Sequence, residues 1–269
     1  MIAANEDRGP FAELTRNRSL IGRLVSRDIR ARYQGSVFGT LWSIGTPLLL
    51  LFAYWFMLGV VLQARWGALP SKLYPVILFS GLCVHLFFAE VVGRSCSLII
   101  ENRTYVKKVV FPLATLPWMA VSTAIFHLAV NLVILLVGQL LIAGSLPLTW
   151  PLVIVVLLPL LPLLLGLSWF LSSLSVYLRD VQQVVPLTLT LMMFLSPIFF
   201  PIELVSEKYK AALYLNPLTI IIVEVRKVTV LGELPDFLAL GLYGVASLVV
   251  MYAGYWWFCR TRKGFADVL

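Results

Sequence analysis

The chain has 269 residues, of which 60% are apolar and only 13% charged, at a mean hydropathy of +0.93. Soluble domains carry roughly 45–50% apolar and about 25% charged residues, so an ordinary cytosolic enzyme, a disordered tail and a secreted disulfide scaffold are all excluded. The net charge of +8 reads as Lys and Arg gathered in cytoplasmic loops of a membrane protein, not as a nucleic-acid surface. Three cysteines, Cys83, Cys96 and Cys259, lie in or beside apolar runs without CxxC or Cys/His spacing; they read as reduced packing residues.

In chain order, the first element is a helix over 11–35. Leu20, Ile21, Leu24, Val25, Ile29 and Tyr33 fall on one side of its wheel, and Arg23, Arg27 and Arg30 on the other. That order predicts a basic amphipathic helix lying on the inner membrane surface. The first long apolar run begins only near Gly39, after seven arginines, and is expected to stay in the membrane as an uncleaved anchor. Six spans are predicted, at about 39–63, 75–100, 113–143, 151–176, 184–202 and 237–258, in an all-α integral membrane unit. The third is long enough to tilt, and Pro151, Pro159 and Pro162 predict a kink in the fourth. Between the fifth and sixth spans lies 203–235. Its apolar part, Leu218 to Leu231, is short and contains Glu224, Arg226 and Lys227. It reads as a re-entrant hairpin in the outer leaflet, with a pair of helices lying flat on the outer surface as the other reading.

Fourteen of the 21 Lys and Arg fall on the N-terminal segment, the 101–111 and 177–183 connections and the C-terminal tail; six fall on the other side and Arg94 lies within a span. Both termini are therefore expected in the cytoplasm.

The chain has no GxxxxGK[ST] phosphate loop, no HExxH, no GxSxG and no Cys/His cluster. It is not expected to be an enzyme or to carry a metal or cofactor. His85 and His127 sit alone within spans and read as packing residues. Glu90, about 22 Å below the outer end of the second span at ~1.5 Å per residue, and Arg94 at i+4 read as an ion pair that braces that helix, with a cytoplasmic gate or coupling contact as the other reading. Tyr252, Tyr255, Trp256, Trp257 and Phe258 read as an interface belt. Trp55 and Phe56 in the first span, and Phe194, Phe199 and Phe200 in the fifth, could stack on sugar C–H faces or simply face lipid.

Several motifs together carry a resemblance. They are Arg27-Asp28-Ile29-Arg30-Ala31-Arg32-Tyr33 followed by Ser36, Gly39, Leu41-Trp42 and Pro47; Glu101-Asn102 through Lys107-Lys108 with Phe111-Pro112 and Leu116-Pro117; Arg179-Asp180; Ser196-Pro197, Asn216-Pro217 and Arg226; and Phe265-Ala266-Asp267. In this order, over nearly the whole chain, they resemble the permease subunits of type-2 ABC exporters, in the polysaccharide and polyol-phosphate branch and most like the O-antigen permeases. The chain departs from the pattern at Leu113, where the family commonly carries a basic residue.

The resemblance implies a homodimer with two copies of a separate subunit that binds ATP and Mg. Two copies also supply the twelve helices that a polymer path needs. It implies a polyprenyl-diphosphate-linked polysaccharide moved from the cytoplasmic to the outer face. Arg23, Arg27, Asp28, Arg30, Arg32 and Tyr33 would contact acidic lipid headgroups, the substrate diphosphate or the ATPase. Glu101, Asn102, Arg103, Lys107 and Lys108 would form the coupling helix. The five aromatics would line the channel, and Asn216, Pro217, Glu224 and Arg226 would belong to the outer gate. The alternatives are export of teichoic acid, capsule or a small lipid or drug, and, more remotely, a membrane-embedded lipid-carrier transferase.

Overall fold

The computed structural model describes residues 9–36, 38–67, 69–106 and 111–269. The apolar runs fold as helices, and no strand occurs among the described residues. Helix α1, Pro10–Tyr33, starts on a proline, whose missing N–H is harmless in a first turn, and kinks at Asn17. Helix α2, Trp42–Tyr54, holds Pro47 and runs on as the π-helical segment Trp55–Val61. Helix α3, Tyr74–Ser95, is followed by two single-turn helices, Leu98–Glu101 and Arg103–Val106. Helix α4 is Thr115–Ala143, stopped by left-handed Gly144. Helix α5, Leu160–Tyr177, follows a separate turn, Val153–Leu157, with the break at Pro159 that the prolines predict. Helices α6, Val181–Phe194, α7, Glu207–Tyr214, and α8, Leu218–Arg226, lead to α9, Phe237–Thr261. The Asp236 side chain caps α9, accepting from the Leu238 and Ala239 N–H groups at 3.0 Å.

Among the described residues, five helical segments are long and apolar enough to cross a bilayer: Gly39–Val61, Ser71–Ser95, Thr115–Ala143, Trp150–Tyr177 and Phe237–Val268. The stretch expected as the fifth span is different. Its helix, α6, has 14 residues, about 21 Å at ~1.5 Å per residue, and the chain leaves the helix before Ser196-Pro197. Proline removes a donor and disfavours helical geometry in the residue before it, so the helix cannot reach 202.

Helix α3 is the centre of the bundle. Of its most apolar window 78% is buried, against 6% for the α2 window, so α3 is a core element and α2 a peripheral one. Ile77, Leu78, Phe79, Phe87 and Val91 on α3 are sealed against α4, α5 and α8. By contrast α2 exposes Leu49, Phe52 and Phe56, and α6 exposes Leu187, Leu191 and Phe194.

The closest helix crossing is α5 on α9. A Cβ on Gly254 would stand 2.1 Å from the Gly166 carbonyl oxygen, and one on Gly166 would stand 2.5 Å from that of Val250. Backbone meets backbone here, which only glycine permits. Gly254→Ala is therefore expected to destabilise the protein by about 2–3 kcal/mol through overpacking. Gly241→Ala on the same helix, where a Cβ meets nothing within 4 Å, is expected to be neutral or mildly stabilising. Melting of the two variants in detergent distinguishes them.

Candidate functional site

Two polar constructions stand out in an otherwise apolar bundle. The first joins α1 to the last turns of α3 and to α4. Arg94 on α3 donates through both Nη atoms to the two carboxylate oxygens of Asp28 on α1. The Thr123 hydroxyl on α4 donates to Asp28 Oδ2 at 2.8 Å. One turn along, Glu90 on α3 accepts from Arg32 Nη1 on α1 and from His127 Nδ1 on α4, the latter at 2.7 Å. Tyr33 closes the set, its hydroxyl 3.0 Å from His127 Nε2. A proton on Nδ1 facing Glu90 leaves Nε2 to accept from the Tyr33 hydroxyl, so the network assigns this tautomer.

Glu90 and Arg94 thus do not brace each other, contrary to the i, i+4 expectation. Each takes a counter-charge from α1 instead. A bidentate Arg–carboxylate pair between two helices is stronger than an exposed pair along one. His127 likewise is not a solitary packing residue. The signal available in the sequence is the doubled spacing: 90/94 on one helix and 123/127 on another both present a polar pair to one face.

Burial acts to raise the Asp28 carboxyl, but the Arg94 hydrogen bonds and charge, with the Thr123 hydroxyl, outweigh it and hold Asp28 below the usual carboxylate range. The apolar stripe expected to face lipid is largely spent on the protein: Ile21 and Leu24 are buried, and Trp118 of α4 donates to the Pro10 carbonyl at 3.2 Å. Arg23, Arg27, Arg30 and Arg32 are on the exposed side. Arg27 donates to the Tyr105 hydroxyl in the 103–106 turn and lies 5.6 Å over its ring, and Tyr105 stacks on Phe111 at 4.3 Å. Glu101 and Arg103 are exposed, and Asn102 donates to the Leu98 carbonyl at 2.9 Å. Lys107 and Lys108 lie outside the described residues.

Between α1, α2, α3 and α4 lies a cleft of about 450 Å³ lined by Arg32, Tyr33, Glu90 and His127, by Ser43 and Thr46, and by apolar Trp42 and Leu50.

The second construction lies beside the first half of α3 and gathers motifs far apart in sequence. The Asn216 amide donates to the Met192 and Leu195 carbonyls at 3.1 and 3.2 Å and to Ser196 Oγ at 2.8 Å. Its Oδ1 accepts from the Leu218 N–H at 3.0 Å, just after Pro217. Buried Arg226 donates to the Pro197 carbonyl at 2.8 Å and lies 4.1 Å over the Trp66 ring. Gly81 on α3 leaves the room, since a Cβ there would press on Arg226 Nη2 and Ile222 at 3.3 Å. Buried Glu224 accepts from Lys227 at 2.6 Å and from the Asp236 N–H at 2.9 Å, tying α8 to the start of α9. Carbonyls released where α6 stops are thus satisfied by side chains, as irregular backbone inside a membrane protein requires.

The aromatics divide. Tyr54, Phe199 and Phe194 form a chain of rings with centroids 5.2 and 5.7 Å apart between α2 and the end of α6. Trp55 is half-buried, a Cβ on Gly59 standing 3.0 Å from its indole; Phe56 is exposed and stacks on Phe52; Phe200 is half-buried.

Two tests follow from this geometry. Asp28→Asn leaves a largely buried guanidinium without its counter-charge and is expected to cost roughly 2–3 kcal/mol. The swap of Asp28→Arg with Arg94→Asp is expected to recover part of it. Because the Asp28 carboxyl is held low when folded, its contribution is full above the ordinary value of about 3.9 and is lost as pH falls through the folded value. Acid melting curves in detergent are expected to show that loss in the native chain and not in Asp28→Asn. Asn216→Leu removes the donor of three acceptors and is expected to cost about 1–3 kcal/mol, read as a lowered melting temperature.

Residues 19–230 match the ABC-2 type transporter family. The O-antigen export system permease protein RfbA of Myxococcus xanthus is 30% identical over 262 residues, covering 95% of this chain and 97% of that protein. RfbA of Klebsiella pneumoniae is 27% identical over 249 residues, at 91% and 93% coverage. The polysialic acid transport protein KpsM of Escherichia coli is 26% identical over 250 residues, at 89% and 92% coverage. With most of its length matched, the chain belongs to the ABC-2 type transporter membrane family.

Proposed function

We propose that this chain is the membrane-spanning permease subunit of an ATP-driven polysaccharide exporter. The observation that carries the proposal is the near full-length similarity to proteins named for O-antigen export and polysialic acid transport. The substrate in this reading is a polyprenyl-diphosphate-linked, O-antigen-like glycan carried from the cytoplasmic to the outer face of a bacterial inner membrane. The chain works as a homodimer with two ATP-binding subunits that hold ATP and Mg. The apolar side chains left exposed on α2 and α6 support a second copy or lipid as their cover. In the dimer the Tyr54, Phe194 and Phe199 rings, with Trp55, Phe56 and Phe200, border the glycan path, where aromatic faces grip sugar C–H surfaces without fixing register.

In the same reading α6 and the turn after it together form the fifth crossing, which makes six in all, so both termini are cytoplasmic. α7 and α8 make the outer gate, and α1 is the interfacial helix. The contact of Arg27 with Tyr105 supports joint movement of α1 and the 101–108 coupling segment.

The test is co-expression with the neighbouring ATP-binding subunit. A two-plus-two complex with ATPase activity is expected. Lys107→Glu with Lys108→Glu is expected to abolish activity and export while membrane insertion is kept. In a producing strain, deletion of the chain is expected to remove surface glycan and leave it on the cytoplasmic side. Surface glycan at normal levels after deletion would refute the reading.

A further inference from the structure

We propose that Glu90 is an internal competitor for the phosphoryl anion that a lipid-linked substrate brings to Arg32, with His127 holding Glu90 once Arg32 has let it go. This inference rests on the export function proposed above and adds to it the site of headgroup recognition and its control.

Two arginines face this region, and the geometry separates them. Arg94 spends both Nη atoms on Asp28 and its side chain is 23% exposed. Arg32 engages Glu90 through Nη1 alone and its side chain is 50% exposed, while Glu90 is 16% and His127 11% exposed. Of the two cations, only the Arg32 fork is free to turn toward a ligand.

The cleft it borders is amphipathic. Tyr33, Ser43 and Thr46 line it together with Arg32, the Tyr33 hydroxyl engaged by His127 and the Ser43 hydroxyl by the Thr40 carbonyl, and Trp42 and Leu50 line it with apolar surface. That pattern fits a phosphoryl head on a hydrocarbon chain. A planar guanidinium binds phosphate oxygens bidentately, and a diphosphate brings more negative charge than the single Glu90 carboxylate.

Releasing Arg32 does not strand Glu90. Its oxygen keeps the His127 Nδ1 contact at 2.7 Å, and a buried carboxylate that retains a donor avoids most of the penalty of isolation. Arg32 and Tyr33 are the last turn of α1. The exchange therefore loosens α1 from α3 at the point where the chain turns toward α2, while Asp28 and Arg94 keep the rest of α1 docked. Glu90 and His127 are positioning residues for the headgroup, not contacts of the transported sugar.

The test is titration calorimetry on the full chain in detergent with farnesyl diphosphate, inorganic pyrophosphate and farnesol. Native chain is expected to bind farnesyl diphosphate. Glu90→Gln is expected to bind it about tenfold tighter, Glu90→Asp a few-fold tighter, and Arg32→Ala at least tenfold weaker. The Glu90→Asp variant keeps the test open if Glu90→Gln fails to fold. Pyrophosphate bound as tightly as farnesyl diphosphate would overturn the lipid-headgroup source. Unchanged or weaker binding in both Glu90 variants, or no binding by native chain, would overturn the competition. Surface-glycan assays on the deletion strain report on the export function alone, so the two ideas fail separately.

Discussion

The interaction on which this fold depends is the pairing of charges on a central helix with counter-charges on a surface one. A carboxylate and a guanidinium on α3 cannot be left unpartnered in an apolar bundle. They could have neutralised each other along the helix, and the fold does otherwise. Asp28 takes Arg94, and Arg32 takes Glu90. Detaching α1 would strand the Arg94 guanidinium and leave Glu90 with His127 alone, so docking of a largely exposed basic helix is enforced by groups inside the core. Thr123 and His127 bring α4 into the same obligation.

The region around α8 answers a different demand of the same solvent. Where α6 stops, backbone carbonyls lose their helical donors, and no bulk water is at hand in a bilayer to replace them. Asn216 and Arg226 supply the missing N–H groups from the far side of α7. Buried polar side chains are affordable here because nearly every bond they make goes to a group that would otherwise be orphaned. Trp66 adds a ring face for the Arg226 charge, and so binds the 62–70 connection into the same knot.

Much of this was legible in the residues. Long apolar runs define the five span-length helices, and the Arg-against-Leu/Ile order defines α1. Glu224, Arg226 and Lys227 mark the 218–231 stretch as something other than a span. What could not be read was pairing across distance. Asp28 and Arg94 are 66 positions apart, and Glu90 and His127 37 apart; nothing local distinguishes them from the nearer Glu90–Arg94 choice. The early stop of α6 was signalled by Pro197, but hydropathy continues smoothly past it and masks the break. Membership of the ABC-2 family was carried by short motifs that are individually weak, and three of them, Ser196-Pro197, Asn216-Pro217 and Arg226, form one hydrogen-bonded unit in the structure.

The glycine contact between α5 and α9 limits how the molecule can change shape. Most helix pairs touch through side chains, which can swap rotamers and let one helix slide past the other. Here two backbones touch at Gly166 and Gly254, and there is no side chain between them to rearrange. A slide of even one residue would drive a Cβ into a carbonyl. The α5–α9 pair is thus a rigid post, and any change of shape that keeps the fold must leave its register untouched.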